Sequence, residues 1–247
     1  MEHASSGSEA DGLADASPAA FVPVPGKSEA WVVVDRGPAP DAGQRLVRMI
    51  GAPGSVGDGG LRYLGGASVP PFEAGAFAGV TFTPQGTAVL GLDGTIVRSL
   101  AGTPDYGAPV RIVLPTPLTE LPSFPFVTAD GRTLFFTQDH RIYTSDLSTG
   151  NVDAPPSPQE LKLSFGSTQL VATSTFETAY WVNNRDELVG GVIREGTLSS
   201  VATTIREIEA AAPGLKYPTW VSDDGCLLFF VQIPEAGPKV LWLARKG

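Results

Sequence analysis

Short apolar runs separated by small polar turns recur along the whole chain, and one such pattern occurs twice almost unchanged. The phrase Asp-Gly-x-x-Leu-Phe-Phe stands at residues 130–136 and again at 224–230. Each copy follows a proline-led extended run and precedes a second apolar run, at 141–144 and 239–243. Strand, Asp-Gly turn, strand, short loop and strand is the pattern of one antiparallel sheet. A sheet of this kind cannot bury both faces alone, so its repetition predicts a propeller or a solenoid.

Weaker copies of the pattern extend the repeat over most of the sequence. Gly131 and Gly225 lie two periods of about 47 residues apart, and residues 174–182 fill the position between them. Residues 80–90, with a turn at Gly86, and residues 25–34 provide two further copies. We therefore predict an all-β fold, a β-propeller of about five four-stranded blades. A sixth unit between Arg45 and Gly66 is the alternative.

The pattern also suggests where the domain begins. Residues 1–20 are rich in Ser, Ala, Gly and acidic residues and are expected to form a disordered tail or linker. The propeller domain is predicted over residues 21–247, with residues 21–24 completing the last blade so that no sheet edge stays open. One helix is predicted over 203–212, where Thr204 and Glu207 have capping-box spacing and Pro213-Gly214 follows.

The longer phrase Val-Ser/Thr-x-Asp-Gly-x-x-Leu-Phe-Phe, at 127–136 and 221–230, resembles the WD-like repeats of bacterial TolB-type β-propellers. The first copy continues into Ile-Tyr-x-x-Asp-Leu-x-x-Gly at 142–150, which strengthens the resemblance. The closing run 241–245 looks like the last repeat of exported bacterial proteins of this kind. The resemblance covers about a third of the chain. It implies a propeller used for binding, usually outside the cytoplasm, and it implies no catalytic residue.

Charge and composition narrow the range of partners and compartments. The 247 residues carry a formal net charge of −9, and no Lys/Arg stripe is present, which argues against a nucleic-acid partner. No run of about 18 apolar residues could span a membrane, and no signal peptide is recognisable. We expect a periplasmic or cell-surface protein whose leader is missing from this sequence, such as a lipoprotein; a cytoplasmic location is the alternative. The single cysteine, Cys226, excludes an intrachain disulfide and is expected in the core.

No catalytic constellation is recognisable in the sequence. Asp130 and Asp224 are explained by their Asp-Gly turns, in which the carboxylate bonds the following backbone. A serine triad, a P-loop, a dinucleotide fingerprint and a calcium loop are all missing from the pattern, and two histidines with one cysteine argue against a zinc site. We therefore predict no catalytic residue, no metal and no cofactor.

Two polar turns are the binding candidates. Gln138, Asp139 and His140 form one, and Asn183, Asn184 and Arg185 form the other. In a propeller both would lie on the same rim as residues 234–236, where loops converge around the channel.

The predicted function is that of a non-catalytic exported bacterial β-propeller that binds a protein or glycan of the cell envelope through one rim. The alternative is a propeller hydrolase or lyase that acts on a sugar or lactone at the central channel, with Asp139, His140 and Arg185 at its mouth. A third reading is a purely structural scaffold in an envelope assembly. The sequence leaves the oligomeric state open.

Overall fold

The fold is built almost entirely from antiparallel β-sheet. A computed structural model describes residues 2–3, 17–27, 29–36, 43–51, 61–68, 76–100, 106–114, 122–148, 155–163, 167–194, 197–198 and 203–246. The strands, in chain order, are β1 (Glu2–His3), β2 (Ser17–Pro23), β3 (Glu29–Arg36), β4 (Gly43–Gly51), β5 (Leu61–Ser68), β6 (Phe77–Phe82), β7 (Ala88–Leu92), β8 (Thr95–Ser99), β9 (Val110–Arg111), β10 (Ser123–Val127), β11 (Thr133–Gln138), β12 (Arg141–Asp146), β13 (Gln159–Glu160), β14 (Thr168–Ala172), β15 (Ala179–Val182), β16 (Leu188–Gly191), β17 (Ile193–Arg194), β18 (Thr197–Leu198), β19 (Thr203–Thr204), β20 (Leu215–Val221), β21 (Leu227–Ile233) and β22 (Val240–Arg245). The one helix among the described residues is α1 (Arg206–Ala211).

The described strands form five four-stranded antiparallel sheets and one separate hairpin, β17–β18. Sheet 1 is β2-β3-β4-β5, sheet 2 is β6-β7-β8-β9, sheet 3 is β10-β11-β12-β13, sheet 4 is β14-β15-β16-β19, and sheet 5 is β20-β21-β22-β1. The all-β propeller prediction is confirmed, whereas the total number of blades stays a prediction. A sixth unit was the alternative for the stretch between Arg45 and Gly66. Residues 45–51 of this stretch lie on β4 and residues 61–66 on β5, the outer strands of sheet 1, whereas residues 52–60 lie outside the described part.

Four apolar clusters between neighbouring sheets close the ring. The largest joins sheets 3, 4 and 5 around Phe135, Trp181 and Phe230. Further clusters join sheet 1 to sheet 2, sheet 2 to sheet 3, and sheet 5 back to sheet 1. Trp31 and Trp181 are almost completely buried. Every described sheet thus has its faces covered by its neighbours, as the repeat requires.

The prediction for ring closure was wrong. Phe21 and Val22 belong to β2, the inner strand of sheet 1, where Val22 pairs with Trp31 of β3. A tight turn with a left-handed Gly26 connects these two strands, so the local hairpin takes precedence over pairing with the last sheet. The fourth strand of sheet 5 is β1, which pairs with Trp242 and Leu243. The domain boundary at residue 20 stays a prediction; β2 begins at Ser17, and residues 4–16 lie outside the described part.

Each inner strand carries a bulge, with one extra residue opposite its neighbour. The five bulges lie between Pro18 and Ala20, Phe77 and Val80, Ser123 and Phe126, Thr168 and Val171, and Pro218 and Trp220. Three of them contain a residue in the left-handed region: Gly79 at φ 98°, Phe124 at φ 50° and Gln169 at φ 53°. Bulges bend a strand and increase its twist. Here the bulges occur at equivalent positions in the described inner strands, around the axis of the ring.

Two local predictions need correction. The helix begins at Arg206, because Thr203 and Thr204 form β19, and its N-cap Ile205 makes no side-chain capping bond. The predicted capping box is therefore not formed. Cys226 is exposed, since it belongs to the Asp-Gly turn and not to the buried strand that follows. Within the described residues, no helix is long and apolar enough to cross a membrane.

Candidate functional site

The turn between β11 and β12 holds the first group of candidate residues. Asp139 at φ 48° and His140 at φ 57° both adopt the left-handed conformation of a type I′ hairpin. The His140 side chain is exposed, whereas Gln138 is only 4% exposed at the end of β11. The turn therefore presents His140 most fully to a partner.

The second group, Asn183, Asn184 and Arg185, lies in the connection from β15 to β16 and is organised by Asn183. The Asn183 Oδ1 atom accepts hydrogen bonds from the backbone N–H groups of Arg185 (2.8 Å) and Glu187 (3.1 Å). Its amide nitrogen donates to the Glu187 carboxylate at 2.9 Å. These bonds fix the loop and leave Asn184 and Arg185 exposed at its tip.

Both groups occupy equivalent positions in adjacent sheets, because each connects the second strand of its sheet to the third. The turn at 93–94 in sheet 2 and the loop 234–239 in sheet 5 are the corresponding connections. In a ring of antiparallel sheets, such connections leave on the same side. We call this side, with its turns at 93–94, 139–140, 183–186 and 234–239, the rim. That the six candidate residues form a binding site stays a prediction.

The structure adds a tyrosine that the sequence reasoning missed. Tyr217 of β20 is partly buried, and burial, and next the Asp186 carboxylate, raise its pKa. This electrostatic interaction joins two sheets, so no local signal in the sequence indicates it. The one sequence signal near Tyr217 is Pro218, which indicates that Tyr217 lies at an inner strand.

A small cavity lies on the axis of the ring. This cavity of about 20 Å³ lies among residues of all five inner strands: Ala20, Gly79, Val80, Phe124, Pro125, Phe126, Gln169, Leu170, Val171, Pro218 and Thr219. The lining carries two polar side chains, Gln169 and Thr219, and no ionisable one. Such a volume accommodates about one water molecule.

The two repeated aspartates have the structural role that the sequence predicts. The Asp130 carboxylate accepts bonds from the Thr128 hydroxyl (2.6 Å) and the Arg132 N–H (3.0 Å). Asp224 makes the same pair of bonds, and the Ser222 hydroxyl, followed by the Cys226 N–H, lowers its pKa. Both turns lie opposite the rim. Elsewhere too, the described residues contain no group of three or more His, Cys, Asp and Glu side chains that could hold a metal.

Comparison with known proteins identifies the fold. No protein-family profile matches the sequence, and no curated protein does. Among solved structures, TolB from Acinetobacter baumannii superposes with a TM-score of 0.55 at 14% identity, covering 93% of this chain and 52% of that one. A TolB from Agrobacterium tumefaciens gives a TM-score of 0.50 at 16% identity, covering 69% and 58%. This chain thus spans little more than half the length of either protein. In fold, it is a TolB-like β-propeller.

Proposed function

We propose that this chain is a non-catalytic, exported binding module that engages a protein or glycan of the cell envelope through its rim. The binding residues would be Gln138, Asp139, His140, Asn183, Asn184 and Arg185. The protein would act in the periplasm or at the cell surface, without a metal or cofactor. The likeness to TolB structures supports the propeller scaffold on which this proposal rests.

The observation that carries the proposal is the small size of the cavity on the ring axis. A propeller enzyme that acts on a sugar or lactone at its centre needs a channel that admits the substrate and groups that transfer protons. The axial cavity of about 20 Å³ is far smaller than a sugar ring, and its lining offers no carboxylate, imidazole or amine. Recognition at the exposed rim does not require an open axis.

Backbone strain at His140 supports the choice of the rim. The equivalent hairpin of sheet 2 has Asp93-Gly94, with glycine at φ 72°, whereas sheet 3 keeps histidine at φ 57°. A non-glycine side chain in this conformation costs about 1 kcal/mol, and retained strain of this kind clusters at functional sites. An exposed imidazole beside a carboxylate can donate or accept hydrogen bonds to a protein or a glycan.

A binding experiment tests the proposal. The thermal midpoint of the purified chain is measured with soluble glycans and divalent metal salts, and envelope extracts are passed over the immobilised chain. We expect a glycan-dependent rise in the midpoint, or one retained envelope protein whose affinity falls about tenfold or more in His140→Ala/Arg185→Ala. The matched control is Arg132→Ala on the opposite side of the ring, which should bind normally.

Two results would contradict the proposal. One is a partner that binds the wild type and the rim variant equally but is lost in the Arg132 control. The other is hydrolysis of a lactone or polysaccharide that disappears in His140→Ala, which would establish the enzymatic alternative.

A further inference from the structure

Exposed apolar side chains concentrate at one place in the molecule, the outer edge of sheet 2. Among the described residues, four large apolar side chains are exposed, and three of them lie here: Leu100 (56%), Val110 (44%) and Val113 (60%). Leu100 directly follows β8, and the two valines belong to β9 and the residues after it. We call residues 110–113 together with Leu100 the sheet 2 edge.

The sheet 2 edge is a regular β-edge. Strand β9 pairs with β8 through Arg98–Val110 and Val97–Arg111, and the Ile112 N–H continues the ladder to the Ile96 carbonyl at 2.8 Å. Within the described part of the chain, no strand lies beyond β9 in this sheet. Alternation along the strands places Val110 and Leu100 on one face, and Arg111 and Val113 on the other. A further strand would therefore find apolar contacts on both of its faces.

Sheet 3 provides an internal comparison, because its outer edge has the same geometry. There Gln159 and Glu160 pair with β12, and the Leu161 N–H bonds the Ile142 carbonyl at 2.9 Å. Leu161 and Ile112 are both buried, so the two edges align residue by residue. The positions of Val110, Arg111 and Val113 in sheet 2 are those of Gln159, Glu160 and Lys162 in sheet 3.

The edges of sheets 2 and 3 carry different side chains although their backbone geometry is the same. Polar and charged side chains protect a sheet edge against the addition of another strand, and sheet 3 has them. Sheet 4 likewise ends in Thr203 and Thr204. Sheet 2 has Val110 and Val113 at the positions where sheet 3 has the polar residues Gln159 and Lys162. Proteins rarely keep such an apolar edge exposed unless something binds to it.

The charge at the edge indicates what could bind. In sheet 3, Glu160 forms an ion pair with Arg141 at 2.6 Å. In sheet 2 the residue equivalent to Glu160 is Arg111, which is exposed and forms no ion pair with any described residue. A carboxylate on an added strand could form an ion pair with Arg111, as Glu160 and Arg141 do within sheet 3.

We propose that the sheet 2 edge binds an extended, apolar segment of a partner protein that carries an acidic residue, by adding it as a fifth strand of sheet 2. The backbone ladder supplies affinity, Val110 and Val113 contact alternate side chains, and Arg111 selects the carboxylate. A second copy of this chain fits less well. Antiparallel pairing of two such short edges would bring the Arg111 side chains close together, and each copy also carries a net charge of −9.

Short peptides can test the proposal with the full chain. The first probe is a capped eight-residue peptide of alternating valine and threonine with one central glutamate, and the second has lysine in place of the glutamate. Amide signals of the ¹⁵N-labelled protein are followed by NMR during titration. We expect shifts confined to residues 95–100 and 110–114, and about three- to fivefold weaker binding of the lysine peptide.

Variants separate the edge from the rest of the ring. Val110→Gln/Val113→Lys copies the edge of sheet 3 and should weaken the glutamate peptide about tenfold or more. Arg111→Glu should reverse the preference between the two peptides. Gln159→Ala at the edge of sheet 3 and His140→Ala at the rim should bind like the wild type, which separates this surface from the proposed rim site. Thermal midpoints establish that each variant is folded.

Three outcomes would overturn the proposal. The first is no shift at the edge with either peptide up to millimolar concentration. The second is a set of shifts at the rim that His140→Ala removes. The third is a concentration-dependent dimer of the wild type that Val110→Gln/Val113→Lys dissociates, since the occupant would then be a second copy.

Discussion

Tyr106 combines a buried hydroxyl with a charged neighbourhood. Its ring packs edge-on against Trp31, with centroids 4.5 Å apart, beside the ion pair of Glu29 and Arg48 (2.9 Å). Its hydroxyl finds no hydrogen-bond partner among the described residues. Burial, and next the Glu29 carboxylate, raise the pKa of Tyr106 to about 12, while Arg48 lowers it.

Replacing Tyr106 with phenylalanine should change how stability depends on alkaline pH. An unfolded tyrosine loses its proton near pH 10, whereas the folded Tyr106 keeps it until about pH 12. Between these values the unfolded state binds fewer protons, so the free energy of unfolding falls as the pH rises. After allowance for partial exposure, we expect this fall to be about 1–2 kcal/mol larger in the wild type than in Tyr106→Phe.

Urea unfolding at pH 7, 9 and 11.5 measures the difference. At pH 7 the variant should equal the wild type or exceed it by up to about 1 kcal/mol, because the lost hydroxyl had no partner. Identical pH profiles for the two proteins would show that Tyr106 titrates normally.

Gly131, in the repeated Asp-Gly turn, is constrained by both conformation and space. It has φ 73°, and an added Cβ would lie 2.7 Å from Pro84 Cδ in the turn of sheet 2. Gly26, at φ 69°, has nothing within 4 Å of the same position. Gly26→Ala should cost about 1–2 kcal/mol from strain alone, and Gly131→Ala about 1–3 kcal/mol more.

Denaturant unfolding of the two variants compares these costs. Pro84→Ala introduced into Gly131→Ala should recover part of the additional loss, because it removes the contacted ring atoms. Equal losses at Gly26 and Gly131 would mean that the turn of Gly131 does not pack tightly against the turn of Pro84.

At the level of elements, α1 is attached to sheet 5 by a buried lysine. Lys216 is 1% exposed, and its Nζ contacts Glu209 Oε2 of the helix at 2.8 Å and the Gly214 carbonyl at 2.6 Å. Lys216→Met would leave the Glu209 carboxylate without its partner in a partly buried place. We expect a loss of about 1–3 kcal/mol in the free energy of unfolding, because Glu209 is partly exposed to water.

Calorimetry or urea unfolding can measure this loss beside Arg206→Met, an exposed change on the same helix that should stay within about 0.5 kcal/mol of the wild type. The double variant Lys216→Met/Glu209→Gln should regain part of the stability, since no unpaired charge remains. A Lys216→Met protein as stable as the Arg206 control would exclude an anchoring role for this ion pair.

Local sequence chemistry predicts the turns and strands well, because Asp-Gly and Pro-led runs act within a few residues. The bulges were not predictable, since nothing about phenylalanine or glutamine indicates the left-handed conformation that Phe124 and Gln169 adopt. The same limit applies to the candidate site. His140 and Arg185 stand out as polar turn residues, whereas the effect of Asp186 on the pKa of Tyr217 depends on how sheets 4 and 5 are placed.

For the whole molecule, a hydrogen bond of Thr219 joins the last sheet of the ring to the first. The Thr219 hydroxyl lies 3.0 Å from the Phe21 carbonyl of sheet 1 and 3.3 Å from the Phe229 carbonyl of its own sheet. Thr219→Val should cost about 1–2 kcal/mol, which lowers the thermal midpoint by roughly 2–8 °C. Because neighbouring sheets share their cores, unfolding should remain a single transition.

Differential scanning calorimetry tests this cooperativity. Thr81→Val, which removes the bond from the Val127 N–H between sheets 2 and 3 (3.2 Å), should move the same single peak. Two separate peaks in Thr219→Val would show that the ring opens into independent parts.

The closed ring also determines when the protein can fold as it leaves the ribosome. Phe21, Val32 and Val34 of sheet 1 share an apolar cluster with Phe229 and Leu243 of sheet 5. At typical translation rates, roughly 10–40 seconds separate the synthesis of these two groups. During that time one face of sheet 1 is open to water and to other nascent chains. The first sheet made is therefore the last to be covered, and it is the part of this protein that a chaperone would have to shield.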